Sequence, residues 1–184
     1  MDVRTTSLPG VLLIDPKVFG DARGYFYESF RRNAYAEAGI DAEFVQDNVS
    51  RSVGGTLRGL HLQHPGGQGK LVSVLVGEVF DVAVDVRVGS DTFGAWTGHL
   101  LSDDNKRQLY VPPGFAHGFV VVSETAVFSY KCTTYYSPAD ELSVRWDDPA
   151  VGVEWPVDDP ILSDKDRDAP VLADIDRTRL PSVG

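Results

Sequence analysis

The stretch TLRGLHLQHPGGQGKLVSVLVGEVFDVAVDVR, Thr56 to Arg87, decides how the rest of the chain is read. Leu57–Gln63 has strand character, His64–Gly69 is a loop rich in Pro and Gly, and Leu71–Val76 is a second strand. Gly77-Glu78 can close a tight turn. Val79–Val88 alternates cleanly, with Phe80, Val82, Val84 and Val86 against Asp81, Ala83, Asp85 and Arg87. Alternation defines two faces without saying which of them meets a cavity. Taken alone, the first two strands read as a hairpin with a glycine-rich turn. The stretch also carries two of the four histidines, His61 and His64, and the cations Arg58 and Lys70.

Outward from this stretch the pattern continues. Ala95–Leu101, Gln108–Val111, Gly118–Val122 and Ala126–Thr134 read as further strands, separated by polar or Pro-Gly turns. Upstream, Tyr25–Phe30 and Phe44–Ser50 are strand-like, and Arg31–Ala38 can form a short helix stopped by Gly39. Many short strands with hardly any helix predict an all-β antiparallel sandwich or barrel, of which a cupin-type jelly roll with short peripheral helices fits best. The 184 residues predict one domain, with an extended N-terminal region over residues 1–50 and a C-terminal tail over residues 138–184 that wraps the outside.

Composition narrows the function. The formal net charge of −10 argues against non-specific binding of nucleic acid or membrane, which needs basic faces. A small anionic ligand would require a local cluster of Arg and Lys. The single cysteine, Cys132, permits no intrachain disulfide. The N-terminus MDVRTTSLPG lacks a signal-peptide core, and no apolar run is long enough to span a bilayer, which predicts a cytoplasmic protein.

Single residues carry modest signals. His61 shares strand parity with Leu57, Gly59 and Gln63, while Arg58 falls on the other face. A bulge or twist at Gly59 is needed if both serve one site. PPGFAHGF, residues 112–119, fits the cupin pattern Pro-x-Gly-x-x-His, whose histidine (here His117) usually binds metal with a His-x-His strand and a glutamate. Here the partner strand reads His61-Leu62-Gln63, so the second histidine and the glutamate are missing, and a metal site is not predicted. Tyr130 reads most simply as a core tyrosine, and Ser163-Asp164-Lys165-Asp166 as a capped helix start.

Together, ARGYFYESF, FVQDNVSRS, LRGLHLQ, GKLVSVLVGEVFDVAVDVR, NKRQLYVPPGFAHGFVV, YKCTTYYSP and LSDKD resemble the dTDP-4-dehydrorhamnose 3,5-epimerase family in order and spacing. The resemblance extends from about Val11 to about Pro170. It implies inversion at C3 and C5 of a 4-keto-6-deoxy sugar carried on thymidine diphosphate, without a cofactor. Both carbons flank a ketone, so their protons can be removed to give an enolate. By resemblance, His61 is the base, Asp166 orients it, Tyr130 is the opposing acid and Lys70 stabilises the enolate oxygen.

The resemblance also places Arg23, Arg58 and Lys165 at or near the diphosphate. It sets Glu28, Gln46, Asp47, Asn48 and Glu141 around nucleotide and substrate, makes Tyr136 a stacking partner for thymine, and makes His117 a substrate contact. It implies a homodimer that exchanges a strand region near the N-terminus, which could let the Arg58 and His61 faces serve different subunits' sites. The alternatives are a relative inverting only C3 or C5, a metal-dependent cupin enzyme using His61 and His117, and a non-catalytic sugar-binding cupin.

Overall fold

The computed structural model describes residues 1–183. In chain order the strands are β1 (Asp2–Thr5), β2 (Leu12–Asp15), β3 (Val18–Asp21), β4 (Gly24–Tyr27), β5 (Gln46–Val53), β6 (Leu57–Gln63), β7 (Lys70–Val76), β8 (Glu78–Asp85), β9 (Trp96–Ser102), β10 (Gln108–Val111), β11 (Phe115–Val121), β12 (Thr125–Cys132) and β13 (Glu141–Ser143). Two short helices, α1 (Arg32–Glu37) and α2 (Asp164–Arg167), lie outside the sheets. A six-stranded sheet runs β1-β2-β10-β7-β12-β5 and a five-stranded sheet runs β13-β6-β11-β8-β9, with β3-β4 forming a separate ribbon. This is the all-β jelly-roll sandwich that the short alternating strands predict.

The hairpin reading of Thr56–Arg87 is wrong in one respect. Strands β6 and β7 do not pair; they belong to opposite sheets, and so do β7 and β8. The loop after Gln63 and the turn at Gly77 are therefore crossings between layers. Gly77 has φ +78, and a Cβ there would lie 2.0 Å from the Thr125 carbonyl oxygen. Only glycine permits so close a crossing. Consecutive strands thus line opposing walls, which is what a ligand cavity between two sheets requires.

Strand β8 shows why alternation alone does not name the core. Its Asp81 and Asp85 are fully buried, as are Val82, Ala83 and Val84. Ala83 joins Val72, Val74, Phe119 and Phe128 in the cluster between the sheets. Val82, Val84 and Val86 face the other way, against Leu172, Ile175 and Leu180 of the C-terminal segment. The apolar face of β8 is thus covered by the tail, and its acid-bearing face looks into the sandwich. Burying each such Val, Leu or Phe side chain is worth roughly 1.5–3 kcal/mol. Helix α1 closes the outer face of the six-stranded sheet by setting Tyr35 against Ile14 and Leu71.

Candidate active site

The two sheets enclose a cavity of about 240 Å³. Its five-stranded wall presents Arg58 and His61 from β6 and His117 and Phe119 from β11. The six-stranded wall presents Ser50 from β5, Lys70 from β7, and Phe128 and Tyr130 from β12. The rim is Ser163, Lys165 and Asp166 of α2 and its cap.

Arg58 and His61 line the same cavity, so the idea that they serve different subunits' sites is set aside. The reason is local. The register between β6 and β11 shifts, pairing His117 with His61 but Phe119 with Arg58. Gly59, at φ +134, sits at the shift, and a Cβ there would lie 2.5 Å from the Gly118 Cα. The irregularity lies at Gly59, where a bulge or twist is expected, and it brings both side chains to one site.

His61 and His117 are cross-strand neighbours, and each has a carboxylate on Nε2. His61 Nε2 and Asp166 Oδ1 are 2.5 Å apart. The second oxygen of Asp166 accepts from the Ser163 hydroxyl at 2.8 Å, and the same Ser163 oxygen accepts the Asp166 N–H at 3.2 Å. The capped-helix reading and the catalytic reading of SDKD are therefore compatible. Ser163 starts α2 and, in doing so, aims Asp166 at His61. Burial alone would raise the Asp166 carboxyl; the hydrogen bond and charge of His61, the Ser163 hydroxyl and Lys165 reverse this and hold it below the usual range. The carboxylate form that supports an imidazolium is favoured. On the other histidine, Nε2 meets both oxygens of Asp81, at 2.9 and 3.0 Å, deep in the sheet.

The six-stranded wall is different. Among the described residues, neither the Lys70 ammonium nor the Tyr130 hydroxyl has a hydrogen-bond or ion-pair partner. Burial dominates both: it pushes the Lys70 pKa down and the Tyr130 pKa up. Lys70 gives up its proton more readily than an ordinary lysine, and Tyr130 keeps its own beyond about pH 10. Phe119 and Phe128 stack with centroids 4.1 Å apart and form the apolar floor between the walls.

A second cluster borders the cavity. Glu141 accepts from Lys165 Nζ at 2.8 Å and from the Tyr136 hydroxyl at 3.1 Å. Gln46 accepts the Tyr136 N–H at 3.0 Å and donates to the Asn48 side chain at 3.1 Å. Arg58 donates from Nε to Ser52 at 3.1 Å and has no carboxylate partner among the described residues. Arg58, Lys70 and Lys165 make the local cationic cluster that an anionic ligand needs on a chain of net charge −10.

Seven of the residues singled out from sequence do not line this cavity: Gln46, Asn48, Tyr136 and Glu141 form the bordering cluster, joined to it through Lys165, and three others lie elsewhere. Asp47 points to the outer face of β5 and pairs there with Lys131 at 2.9 Å, because strand parity sends it opposite to Gln46 and Asn48. Arg23 pairs with Asp21 on the exposed β3–β4 ribbon, and Glu28 faces Arg31 at 3.4 Å just beyond it. Ser50, Ser52 and Asp81 join the site without having been singled out from sequence. Parity could have found the serines, since they continue the Gln46, Asn48 face. Asp81 is visible as an acid between two apolar residues of a strand, but only pairing with β11 shows what it holds.

A family model described as dTDP-4-dehydrorhamnose 3,5-epimerase matches residues 5–174. The chain is 54% identical over 178 residues to the dTDP-4-dehydrorhamnose 3,5-epimerase of Shigella flexneri, covering 96% of this chain and 98% of that protein. It superposes with a TM-score of 0.97, at 52% identity and covering 100% of this chain and 98% of the other, on the dTDP-6-deoxy-D-glucose-3,5-epimerase of Legionella pneumophila in complex with dTDP-4-keto-L-rhamnose. A 3'-monoepimerase of Streptomyces bikiniensis in complex with dTDP-quinovose is similar at a TM-score of 0.91 and 38% identity, covering 96% of this chain and 91% of that one. With the model spanning most of the chain and relatives above half identity along nearly all of it, the chain belongs to the dTDP-4-dehydrorhamnose 3,5-epimerase family.

Proposed function

We propose that this chain inverts both C3 and C5 of dTDP-4-dehydro-6-deoxy-D-glucose to give dTDP-4-dehydro-L-rhamnose, in dTDP-L-rhamnose biosynthesis. The observation that carries the reading is the difference between the walls: a carboxylate-braced histidine on one sheet faces a tyrosine and a lysine on the other that have no polar partner among the described residues. His61, oriented by Asp166, takes the proton next to the ketone. Lys70 meets the charge that develops on the C4 oxygen. Tyr130 returns a proton from the opposite side, which inverts the centre. General acid–base steps of this kind contribute roughly 10²–10⁴-fold, and a positioned oxyanion donor roughly 10²–10³-fold. The steps are proton transfers, so the reading calls for no redox cofactor.

Arg58 and Lys165 suit the diphosphate, with Arg58 offering the fork that matches phosphate oxygens. Gln46, Asn48 and Glu141 border the nucleotide, Tyr136 offers its half-exposed ring to the thymine, and His117 contacts the sugar. Phe19, Tyr25 and Phe26 are more than half exposed on the β3–β4 ribbon, which has no sheet neighbour. Two-stranded ribbons with bare aromatic rings are poorly stable alone. This supports a homodimer in which the ribbon carries Arg23 and Glu28 to the partner subunit's cavity. The reading places the enzyme in the cytoplasm. No helix of the described residues is long and apolar enough to cross a membrane.

Incubation with dTDP-4-dehydro-6-deoxy-D-glucose in deuterium oxide tests the reaction. Solvent deuterium at both C3 and C5 of the product supports it. Label at one carbon only would assign the chain to single-centre epimerases, and ligand binding without label would make it a binding protein.

A further inference from the structure

We propose that Gln63 is a positioning residue for nucleotide binding: it fixes the Tyr136 loop to the strand that carries His61. The proposal rests on the reading of Tyr136 as the nucleobase platform. Gln63 ends β6, where the cupin pattern would carry its second histidine. The residue is buried, 8% exposed, and among the described residues its side chain bonds only to Gly66 and the Thr134–Ser137 loop. Oε1 accepts the Ser137 N–H at 2.9 Å. Nε2 donates to the Tyr135 carbonyl at 3.1 Å and to the Gly66 carbonyl at 3.3 Å. The loop from Thr134 to Ser137 has no sheet partner, so side chains must satisfy its backbone.

The bonds bracket Tyr136. Gln63 takes the residues on either side of it, and Gln46 takes its own N–H. Directly across from Gln63 in the β6–β13 register stands Glu141, which accepts the Tyr136 hydroxyl. One cross-strand pair thus holds both ends of Tyr136, while the residue remains 52% exposed and its ring open to stacking. Because Gln63 is two residues from His61 on one strand, it ties the position of the nucleobase platform to that of the base. An amide suits this task because it donates and accepts at once; a carboxylate only accepts. The nucleobase lies remote from the reacting carbons, so holding its platform acts on affinity, in ground state and transition state alike.

The test uses the full chain and dTDP. Wild-type binding of dTDP and turnover of the 4-keto sugar nucleotide are measured first; their absence would sink the sugar-nucleotide reading itself and this proposal with it. Gln63→Met keeps the volume and removes the amide. It is expected to weaken dTDP binding and raise KM about tenfold, equivalent to about 1.4 kcal/mol, with kcat unchanged, the pattern of lost uniform binding. Gln63→Glu, which keeps the acceptor and loses the donor, is expected to move the same way and serves where Gln63→Met does not fold. In a Tyr136→Ala background either change should have no further effect on dTDP affinity. Unaltered dTDP affinity in a folded Gln63 variant of an active enzyme, or an undiminished effect in the Tyr136→Ala background, would overturn the assignment.

Discussion

The two walls of the cavity are built on opposite principles. On the five-stranded sheet, both histidines are braced: His61 by Asp166 and His117 by Asp81, with the carboxylates 4% and 0% exposed. On the six-stranded sheet, Lys70 and Tyr130 stand without polar partners among the described residues, and burial shifts them in opposite directions, lysine down and tyrosine up. A group that must gain a charge is given a counter-charge. A group that must give a proton, or meet a charge made during reaction, is left without a polar partner and turned into the cavity. The difference teaches that one cavity can prepare a base and an acid simply by which wall each stands on.

The contrast between the walls is most exposed to the substitutions with the largest expected effects. His61→Ala should lower turnover by roughly 10²–10⁴-fold, whereas His117→Ala should act mainly on KM; equal losses in kcat would erase the contrast within the braced wall. Lys70→Met should cost roughly 10²–10³-fold in kcat. The walls also predict the alkaline limb of the pH profile. The Lys70 pKa is lowered by burial, so its stabilising charge is lost as pH rises through a value below the usual lysine range of about 10.4. Tyr130, raised by burial, is still protonated there. The fall in kcat/KM should therefore be absent from the residual activity of Lys70→Met and retained in Tyr130→Phe.

A smaller effect separates the two braces. Asp166→Asn should slow turnover roughly 10–100-fold, the loss expected of a charge-assisted hydrogen bond worth about 1.5–3 kcal/mol. Asp81→Asn should show its cost in thermal stability instead, lowering the melting temperature by several degrees, about 2–4 °C per kcal/mol for a chain of this size. If Asp81→Asn slowed proton exchange as much as Asp166→Asn, both braces would be catalytic and the distinction would fall.

Much of the fold and part of the site are legible in the amino-acid sequence. Period-two alternation and Gly/Pro punctuation place most strands within a few residues and name the fold class. The ordered motifs name the family and point to His61, Lys70, Tyr130 and Asp166. The gaps have physical causes. Alternation in Phe80–Arg87 shows two faces, but only the tail packing on Val82 and Val84 decides which is inward. A glycine turn such as Gly77 looks alike whether it closes a hairpin or crosses between sheets. Arg58 and His61 share a cavity because of a register shift that depends on Gly118 lying against Gly59. Gln63 reads in sequence as the gap in a metal-ligand set, and its bonds become visible only with the loop it holds.

The central claim is that base and acid stand on opposite walls, and Tyr130→Phe in deuterium oxide tests it most directly. With His61, Asp166 and Lys70 intact, the variant should still exchange the proton next to the ketone, so substrate recovered unchanged in configuration should carry deuterium while inverted product falls sharply. Parallel loss of exchange and inversion in Tyr130→Phe, or exchange that persists in His61→Ala, would contradict it.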